Sequence, residues 1–198
     1  MDIKKEDRRV RRTKQRMLTA LSSLLTTKKI NQITVKELAD LADVNRTTFY
    51  FYYDNIPDML DKVEQEMFVD FQNTCAQFRE EQSATESTGV FLTRVFQFLQ
   101  DNADMAKILL GPSGDYAFME KLKNAIGVTK PEEMTNFTGS QKGEQYFNPF
   151  VVSGFIGMIQ YWLSCDMPDP PDEMAYFTLN LILRGRNFLE EQHNDKST

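Results

Sequence analysis

The sequence predicts an all-α fold, in which an N-terminal three-helix unit with a helix-turn-helix is followed by a C-terminal helical bundle. Two observations indicate this fold class. Apolar residues recur at helical spacing in one segment after another along the 198 residues. Residues that favour helix N-caps, among them Thr34, Asn45 and Asn55, precede several of those segments. We expect the first unit over residues 1–54 and the second over residues 55–198.

Residues 34–53, TVKELADLADVNRTTFYFYY, predict two short helices joined by a tight turn. Thr34 caps the first helix, and Glu37 follows at the spacing of a capping box. Asn45 caps the second helix after a break at Asp43 and Val44. In a DNA-binding helix-turn-helix of this layout, the second helix enters the major groove by its N-terminal residues. Two short amphipathic helices also occur in many other helical proteins, so spacing by itself leaves both interpretations open.

Charge is divided unevenly along the chain, although the net charge is −6. Residues 1–53 hold twelve Lys or Arg and six Asp or Glu, a balance of +6. Residues 54–198 hold eleven Lys or Arg and twenty-three Asp or Glu, a balance of −12. Because an acidic body repels DNA, only the basic N-terminal end is suited to face a duplex.

The first twelve residues, MDIKKEDRRVRR, are too polar to fold alone. They form either a solvated, disordered tail or a basic arm that lies along phosphates or reaches a minor groove. Both descriptions hold if the arm becomes ordered on binding. The first predicted helix follows, from Thr13 to Thr27, with Met17, Leu18, Leu21, Leu24 and Leu25 as its apolar residues.

The second helix of the helix-turn-helix offers side chains suited to DNA. Phe49 and Tyr53 lie four residues apart, so they are expected to pack inward together. Arg46, Thr47 and Tyr50 then lie on the outer face. Arginine pairs bidentately with guanine, threonine contacts a thymine methyl or a phosphate, and tyrosine hydroxyls reach phosphate oxygens. For Tyr52 the choice between DNA contact and packing stays open.

A long helix is predicted after Asn55, to about Arg79, and a loop over residues 80–89. Three shorter helices are predicted over residues 90–100, 105–110 and 116–126, and a loop over residues 127–147.

The last two predicted helices run from Phe150 to Ser164 and from Asp169 to Leu189. Gly154 and Gly157 lower the helix propensity of the first of them, which indicates that another helix or a ligand approaches closely there.

Patterns that carry catalysis or bind metals are missing from the sequence. The single histidine, His193, lies in the C-terminal tail, and no Cys or His cluster has metal-ligand spacing. There is no Gly-rich phosphate loop and no nucleophile elbow. We therefore expect no catalytic residue, no metal and no cofactor, while an enzyme that uses a Tyr or Asp pair stays open.

The two cysteines, Cys75 and Cys165, lie in apolar helical patterns without paired spacing, which indicates buried free thiols. No apolar run is as long as a membrane span, and the charged N-terminus is unlike a signal peptide. A reducing cytoplasm is the expected location.

The segment ITVKELADLADVNRTTFYFYYDNIPDML resembles the TetR family of bacterial one-component regulators. It follows that family's pattern of I-T-V, A-x-x-A-G-V, T-F-Y-x-Y-F and a capped helix. The resemblance implies a homodimer that binds a palindromic DNA operator, usually as a repressor released by a small effector. Together with the helix-turn-helix pattern, it indicates DNA contacts by Thr34, Lys36, Asn45, Arg46, Thr47, Thr48, Tyr50 and Tyr52.

The resemblance also assigns roles to the C-terminal unit, namely regulation and dimerisation. An effector is expected between the central helices, in a pocket lined by Phe91, Phe98, Leu109, Phe118, Leu122, Phe155 and Trp162. The alternative is that these seven residues are ordinary core. The last two helices of this family form a four-helix dimer interface, expected here at Ile156, Ile159, Met174, Phe177, Leu181 and Phe188.

Three departures from the family pattern concern DNA binding. Asp43 replaces the usual turn glycine, although Asp tolerates a left-handed conformation. Phe51 and Ile56 stand where basic residues are frequent, and Asp54 stands where a phosphate-binding Lys is common. These changes motivate an alternative function, in which a regulator of the same fold acts through a protein partner rather than through a small effector.

Overall fold

The computed structural model describes residues 8–81, 88–111, 116–129 and 141–194. All the regular secondary structure in these ranges is helical, which confirms the predicted all-α fold. Residues 1–7 of the predicted arm and residues 195–198 lie outside the described residues, while His193, predicted to lie in a C-terminal tail, belongs to the last helix, Pro171–Asn194.

The N-terminal helices are α1 (Arg8–Leu25), a 3₁₀ turn (Ile30–Gln32), α2 (Val35–Leu41) and α3 (Arg46–Tyr52). The two predicted caps are confirmed. Thr34 Oγ1 accepts a hydrogen bond from the Glu37 N–H at 3.2 Å, and Asn45 Oδ1 accepts one from the Thr47 N–H at 2.9 Å. The carboxylate of Glu37 contacts Lys28 Nζ at 2.5 Å, which ties the start of α2 to the segment after α1.

The turn between α2 and α3 depends on Asp43, whose φ is 50°, in the left-handed region. The prediction that an aspartate replaces the turn glycine in this conformation is confirmed. Arg16 of α1 donates to the Asp43 carbonyl at 2.8 Å and also pairs with its carboxylate. Through these two contacts, the side chain of Arg16 fixes the turn that orients α3.

Helix α1 begins at Arg8, five residues before the predicted start. The prediction of a disordered or extended arm is wrong for residues 8–12, which continue the helix. Four of these five residues are arginines, and straight-chain side chains of this kind lose little rotamer freedom in a helix. Residues 1–7 of the predicted arm are outside the described part of the chain.

Four helices follow, namely α4 (Ile56–Glu81), α5 (Thr88–Asp101), α6 (Ala103–Leu110) and α7 (Tyr116–Thr129). The predicted cap by Asn55 is confirmed, because its Oδ1 accepts the Asp58 N–H at 2.9 Å. The loop predicted at residues 80–89 is helical at both ends, and residues 82–87 lie outside the described ranges.

The last two helices are α8 (Gln141–Ser164) and α9 (Pro171–Asn194). The prediction of a loop up to residue 147 is wrong, since α8 begins at Gln141 and continues through Pro149. Contact with α9 accounts for this longer helix: the half-buried Phe147 lies against Gly185, where an added Cβ would be 3.0 Å from the ring. Glycine at position 185 makes room for that aromatic ring.

One continuous apolar core joins the N-terminal helices to the bundle. Helix α5 packs along α9, and α4 packs against α5, α6 and α7. Helix α1 packs against α2 and also against α6, while α8 contacts both α6 and α9. Helix α6 therefore lies between α1 on one side and α8 on the other. Among the described helices, none is long and apolar enough to cross a membrane.

Candidate nucleic-acid interface

The outer face of α3 presents the side chains that the sequence predicts for DNA. Arg46, Thr47 and Tyr50 are exposed, while Thr48 and Tyr52 are half-buried at the sides of the helix. Phe49 and Tyr53 are buried, as predicted, with ring centroids 5.6 Å apart. Because these two aromatics anchor α3 in the core, the opposite side of the helix is held outward.

Helix α2 contributes its N-terminal end to the same region. Thr34 and Lys36 are both exposed. The side-chain oxygens of Thr34 and Asn45 already accept backbone N–H groups, so both residues shape the helix starts as well as being candidates for DNA contact. The complete set of DNA contacts stays a prediction.

Two clefts lined by arginines flank α1. The first has a volume of about 1160 Å³ and lies between α1 and the end of α2, with Arg8, Arg9, Arg11, Arg12 and Arg16 in its walls. The second has a volume of about 670 Å³ and lies between α1 and α3, where Arg9 and Arg12 face Asn45, Thr48 and Tyr52. Arg8, Arg9, Arg11 and Arg12, predicted as part of the basic arm, are instead held by helix α1, and Arg9 and Arg12 line the cleft beside α3.

The start of α4 is acidic. Asp54 is exposed, and its N–H donates to Asp58 Oδ2 at 2.9 Å. Lys62 Nζ lies 2.9 Å from the same oxygen and 3.1 Å from the Tyr52 carbonyl oxygen. Lys62 first, and the Asp54 N–H second, hold the pKa of Asp58 below its ordinary value. The charged carboxylate of Asp58 therefore pairs with the ammonium group of Lys62, which could otherwise face a DNA phosphate.

Ile56 requires a correction. The sequence analysis counted it as a lost phosphate contact, but its side chain is buried in the apolar core at the first turn of α4. A basic side chain at this position would have to leave the core before it reached DNA. The other three residues that depart from the family pattern, Asp43, Phe51 and Asp54, lie on the surface.

All seven residues of the predicted effector pocket are buried. A cavity among α4, α5, α7 and α8 is lined by two of them, Phe98 and Leu122, and has a volume of only about 20 Å³. Ligand pockets for small molecules usually have about 300–1,000 Å³. Around these described residues, the side chains therefore leave little open space. The pocket stays a prediction that requires these helices to move apart.

The six residues of the predicted dimer interface divide into two groups. Ile156, Ile159 and Met174 are buried within the protomer, so their side chains do not point outward as predicted. Phe177, Leu181 and Phe188 are each more than half exposed, along one side of α9. The exposed side of α8 instead carries Tyr146, Phe150, Gly154, Gly157 and Tyr161.

Polar contacts connect α1 to α6. Asp104 Oδ2 accepts hydrogen bonds from Gln15 Nε2 at 2.8 Å and from Thr19 Oγ1 at 2.6 Å. One turn further along α6, Lys107 Nζ lies 2.6 Å from Asp166 Oδ1 in the α8–α9 turn, and this contact lowers the pKa of Asp166. Helix α6 is therefore joined by side-chain contacts both to α1 and to the α8–α9 turn.

Within the residues that the structure describes, no cluster of His, Cys, Asp or Glu could hold a metal ion. Both cysteines are free thiols, and Cys75 is buried as predicted, but the prediction of burial is wrong for Cys165, which is exposed just after the end of α8. Two short helices joined by a tight turn, the second anchored by buried aromatics and flanked by arginines, have the layout of the helix-turn-helix class of DNA-binding proteins.

Comparison with known proteins identifies the family. Residues 87–184 match the TetR-type family described as "Transcriptional regulator C-terminal region". A TetR transcriptional regulator from Streptococcus agalactiae 2603V has a similar structure, with 22% identity and a TM-score of 0.53, over 89% of this chain and 97% of that chain. Through the match over residues 87–184, about half of its length, this chain is identified as a member of the TetR family of transcriptional regulators.

Two further solved structures share the fold. The dihydroxyacetone kinase operon activator DhaS is 16% identical, with a TM-score of 0.54 over 90% of this chain and 98% of that chain. The fatty acid degradation regulator FadR from Bacillus halodurans is 13% identical, with a TM-score of 0.53 over 86% and 94%. No curated protein matches the sequence significantly.

Proposed function

We propose that this transcriptional regulator acts as a homodimer that binds a palindromic operator through α2 and α3 of each protomer. The carrying observation is the outer face of α3, where Arg46, Thr47 and Tyr50 are exposed beside two arginine-lined clefts. Residues 1–54 form the DNA-binding unit in this proposal, and residues 55–198 form the unit for regulation and dimerisation.

The dimer is supported by the outward sides of α8 and α9. There is no Lys, Arg, Asp or Glu from Gln145 to Cys165, and Phe150 and Tyr161 are largely exposed. An ideal Cβ at Gly154 or Gly157 meets nothing within 4 Å in the protomer. Whatever approaches these glycines closely therefore comes from outside the protomer. A second copy that lays the same two helices against this face satisfies both observations.

In this proposal, helix α6 transmits the regulatory signal. The dimer represses transcription while bound to its operator, and a small effector releases it by parting the central helices. An effector shifts this equilibrium only by binding one conformation better than the other, typically with about 1–3 kcal/mol of coupling. Movement of α6 would be transmitted to α1 through Asp104 and its bonds to Gln15 and Thr19.

A protein partner in place of the small effector is the second candidate. The filled interior favours it, because the cavity of about 20 Å³ has no room for an effector without rearrangement. Asp54 favours it as well, since this carboxylate at the start of α4 weakens attraction to phosphate. DhaS, which shares the fold, is described as an operon activator, so activation is also compatible with this architecture.

Selection from a random duplex library tests the DNA-binding proposal. We expect an enriched palindrome whose half-sites are centred one helical turn apart, about 34–36 Å. Binding of the selected duplex should weaken steeply with salt. Recovery of sequences without an enriched palindrome would contradict the proposal.

The selected duplex then separates the two modes of regulation. Release of the duplex by a protein-free cell extract supports a small effector. If the amount of bound duplex changes only when the protein fraction of the extract is added, the result supports a protein partner. An extract that is heated and filtered to remove protein serves as the matched control.

A further inference from the structure

The most exposed large apolar side chain on α3 is Phe51, with 79% of its surface accessible. Burial of an aromatic ring is among the larger favourable contributions of any side chain, so a ring left in solvent at the functional face requires an explanation. The ring of Phe51 contacts Tyr52 edge-on, with centroids 4.9 Å apart and planes at 89°. Tyr52 thereby restrains the ring.

Phe51 lies at the middle of the outward side of α3. It is two residues from Phe49 and two residues from Tyr53, which are both buried. Since successive helical residues are about 100° apart, Phe51 points almost directly away from these anchors. Thr47, one turn earlier, lies on the same side and is exposed. Thr47 and Phe51 therefore share the side of α3 that faces most directly away from the core, and the exposed Tyr50 lies about 100° around the helix from Phe51.

We propose that Phe51 determines operator specificity by packing against the 5-methyl group of a thymine in the major groove. This inference rests on the proposed function. The thymine methyl is the apolar feature of the major groove, and phenylalanine is one of the side chains that contact it. The surroundings favour DNA over a protein, because Arg46 is on the same helix and Arg9 and Arg12 line the cleft beside it.

A double-mutant cycle between the protein and the DNA tests this inference. Each thymine of the selected operator is replaced by deoxyuridine, which lacks only the methyl group. Full-length wild-type protein and Phe51→Ala are then titrated against each duplex. In the wild type, we expect one symmetric pair of positions at which methyl removal weakens binding by about fourfold per half-site, the value for one buried methyl-sized group. In Phe51→Ala, the same removal should have no effect.

The controls keep the result interpretable. Val69→Ala removes a similarly exposed apolar side chain from α4, and it should retain the full sensitivity to methyl removal. Because Phe51 is exposed, its substitution should leave the melting temperature unchanged, and Phe51→Leu should restore part of the coupling.

Two outcomes would overturn the inference, and they differ in what they imply. If the wild type binds its operator but every deoxyuridine duplex shows equal sensitivity in wild type and Phe51→Ala, the methyl contact is absent while the proposed function stands. If no operator is selected at all, the proposed function itself fails, and retention of a protein by the wild type but not by Phe51→Ala would assign the ring to a protein partner.

Discussion

The outer face of α3 and the outer faces of α8 and α9 both expose aromatic side chains, yet their surroundings differ in charge. Phe51 and Tyr50 stand beside Arg46 and the arginines of α1. Phe150 and Tyr161 stand on a helix segment that has no Lys, Arg, Asp or Glu between residues 145 and 165. A duplex carries about one negative charge per 1.7 Å, so it suits only the first face, whereas a charge-free aromatic face suits another protein surface.

The largest expected effect comes from placing a charge on the exposed aromatic face of α8 and α9. Leu181→Asp should raise the dimer dissociation constant by about 100-fold or more, because an unpaired carboxylate would be buried in the interface. Sedimentation equilibrium measures this constant. Leu183→Asp is the matched control, since Leu183 is also exposed but lies about 200° around α9. Equal dissociation constants for wild type and Leu181→Asp would remove this face from the proposed dimer.

The second largest effect is expected from the loss of a base contact on the outer face of α3. Arg46→Ala should cost about 1–3 kcal/mol of binding free energy per half-site and relax the preference at one base pair. Lys36→Ala should instead weaken all sequences alike and reduce the salt slope by about 1. Fluorescence anisotropy on the selected operator and on single-base variants distinguishes the two. An Arg46→Ala protein with unchanged affinity and preference would contradict base contact by α3.

A smaller effect is expected from Asp54, the acidic residue near α3 that stands where the family commonly has a phosphate-binding lysine. Asp54→Lys should raise operator affinity about five- to tenfold for the dimer, because each half-site gains a phosphate contact in place of a weak repulsion. The slope of log affinity against log salt should steepen by about 0.9 per half-site. Asp54→Asn removes the repulsion alone and should give an intermediate affinity. Unchanged slopes in both variants would show that the start of α4 stays away from DNA.

The smallest expected effect concerns the turn that orients α3. Asp43→Ala should lower the free energy of unfolding by about 1 kcal/mol relative to Asp43→Asn, because alanine tolerates the left-handed φ of 50° less well. Both variants lose the charge that pairs with Arg16, but asparagine keeps an amide oxygen that can accept from Arg16, so the difference contains the backbone term together with that hydrogen bond. Urea denaturation gives the two values. Equal stabilities would mean that the turn relaxes to another conformation.

Local patterns were sufficient to predict the N-terminal part of this fold. Thr34, Asn45 and Asn55 cap helices as their spacing indicates, and Phe49 and Tyr53 pack inward together. These features depend on residues that are close in the chain, and each has a short-range physical cause. The helix over residues 8–12 was missed, because its polar composition is equally compatible with a solvated arm.

Tertiary features were harder to predict from the sequence. Helix α8 is apolar around much of its circumference, so its pattern does not reveal which side meets the core. Ile156 and Ile159 were consequently assigned to the wrong side, and the side with Gly154 and Gly157 faces outward. The start of α8 depends on contact between Phe147 and the α9 glycine, which lies far along the chain. The sequence also could not distinguish a filled core from an open pocket, because both are lined by the same types of apolar residue.

Protection of guanine N7 from dimethyl sulfate tests the central claim most directly, because this atom lies in the major groove. With the selected operator, we predict two protected clusters centred about 10 base pairs apart, one for each α3. In Arg46→Ala, one guanine in each cluster should regain its reactivity while the rest stay protected. Bound duplex with fully reactive guanines, or protection that is unchanged in Arg46→Ala, would contradict the account.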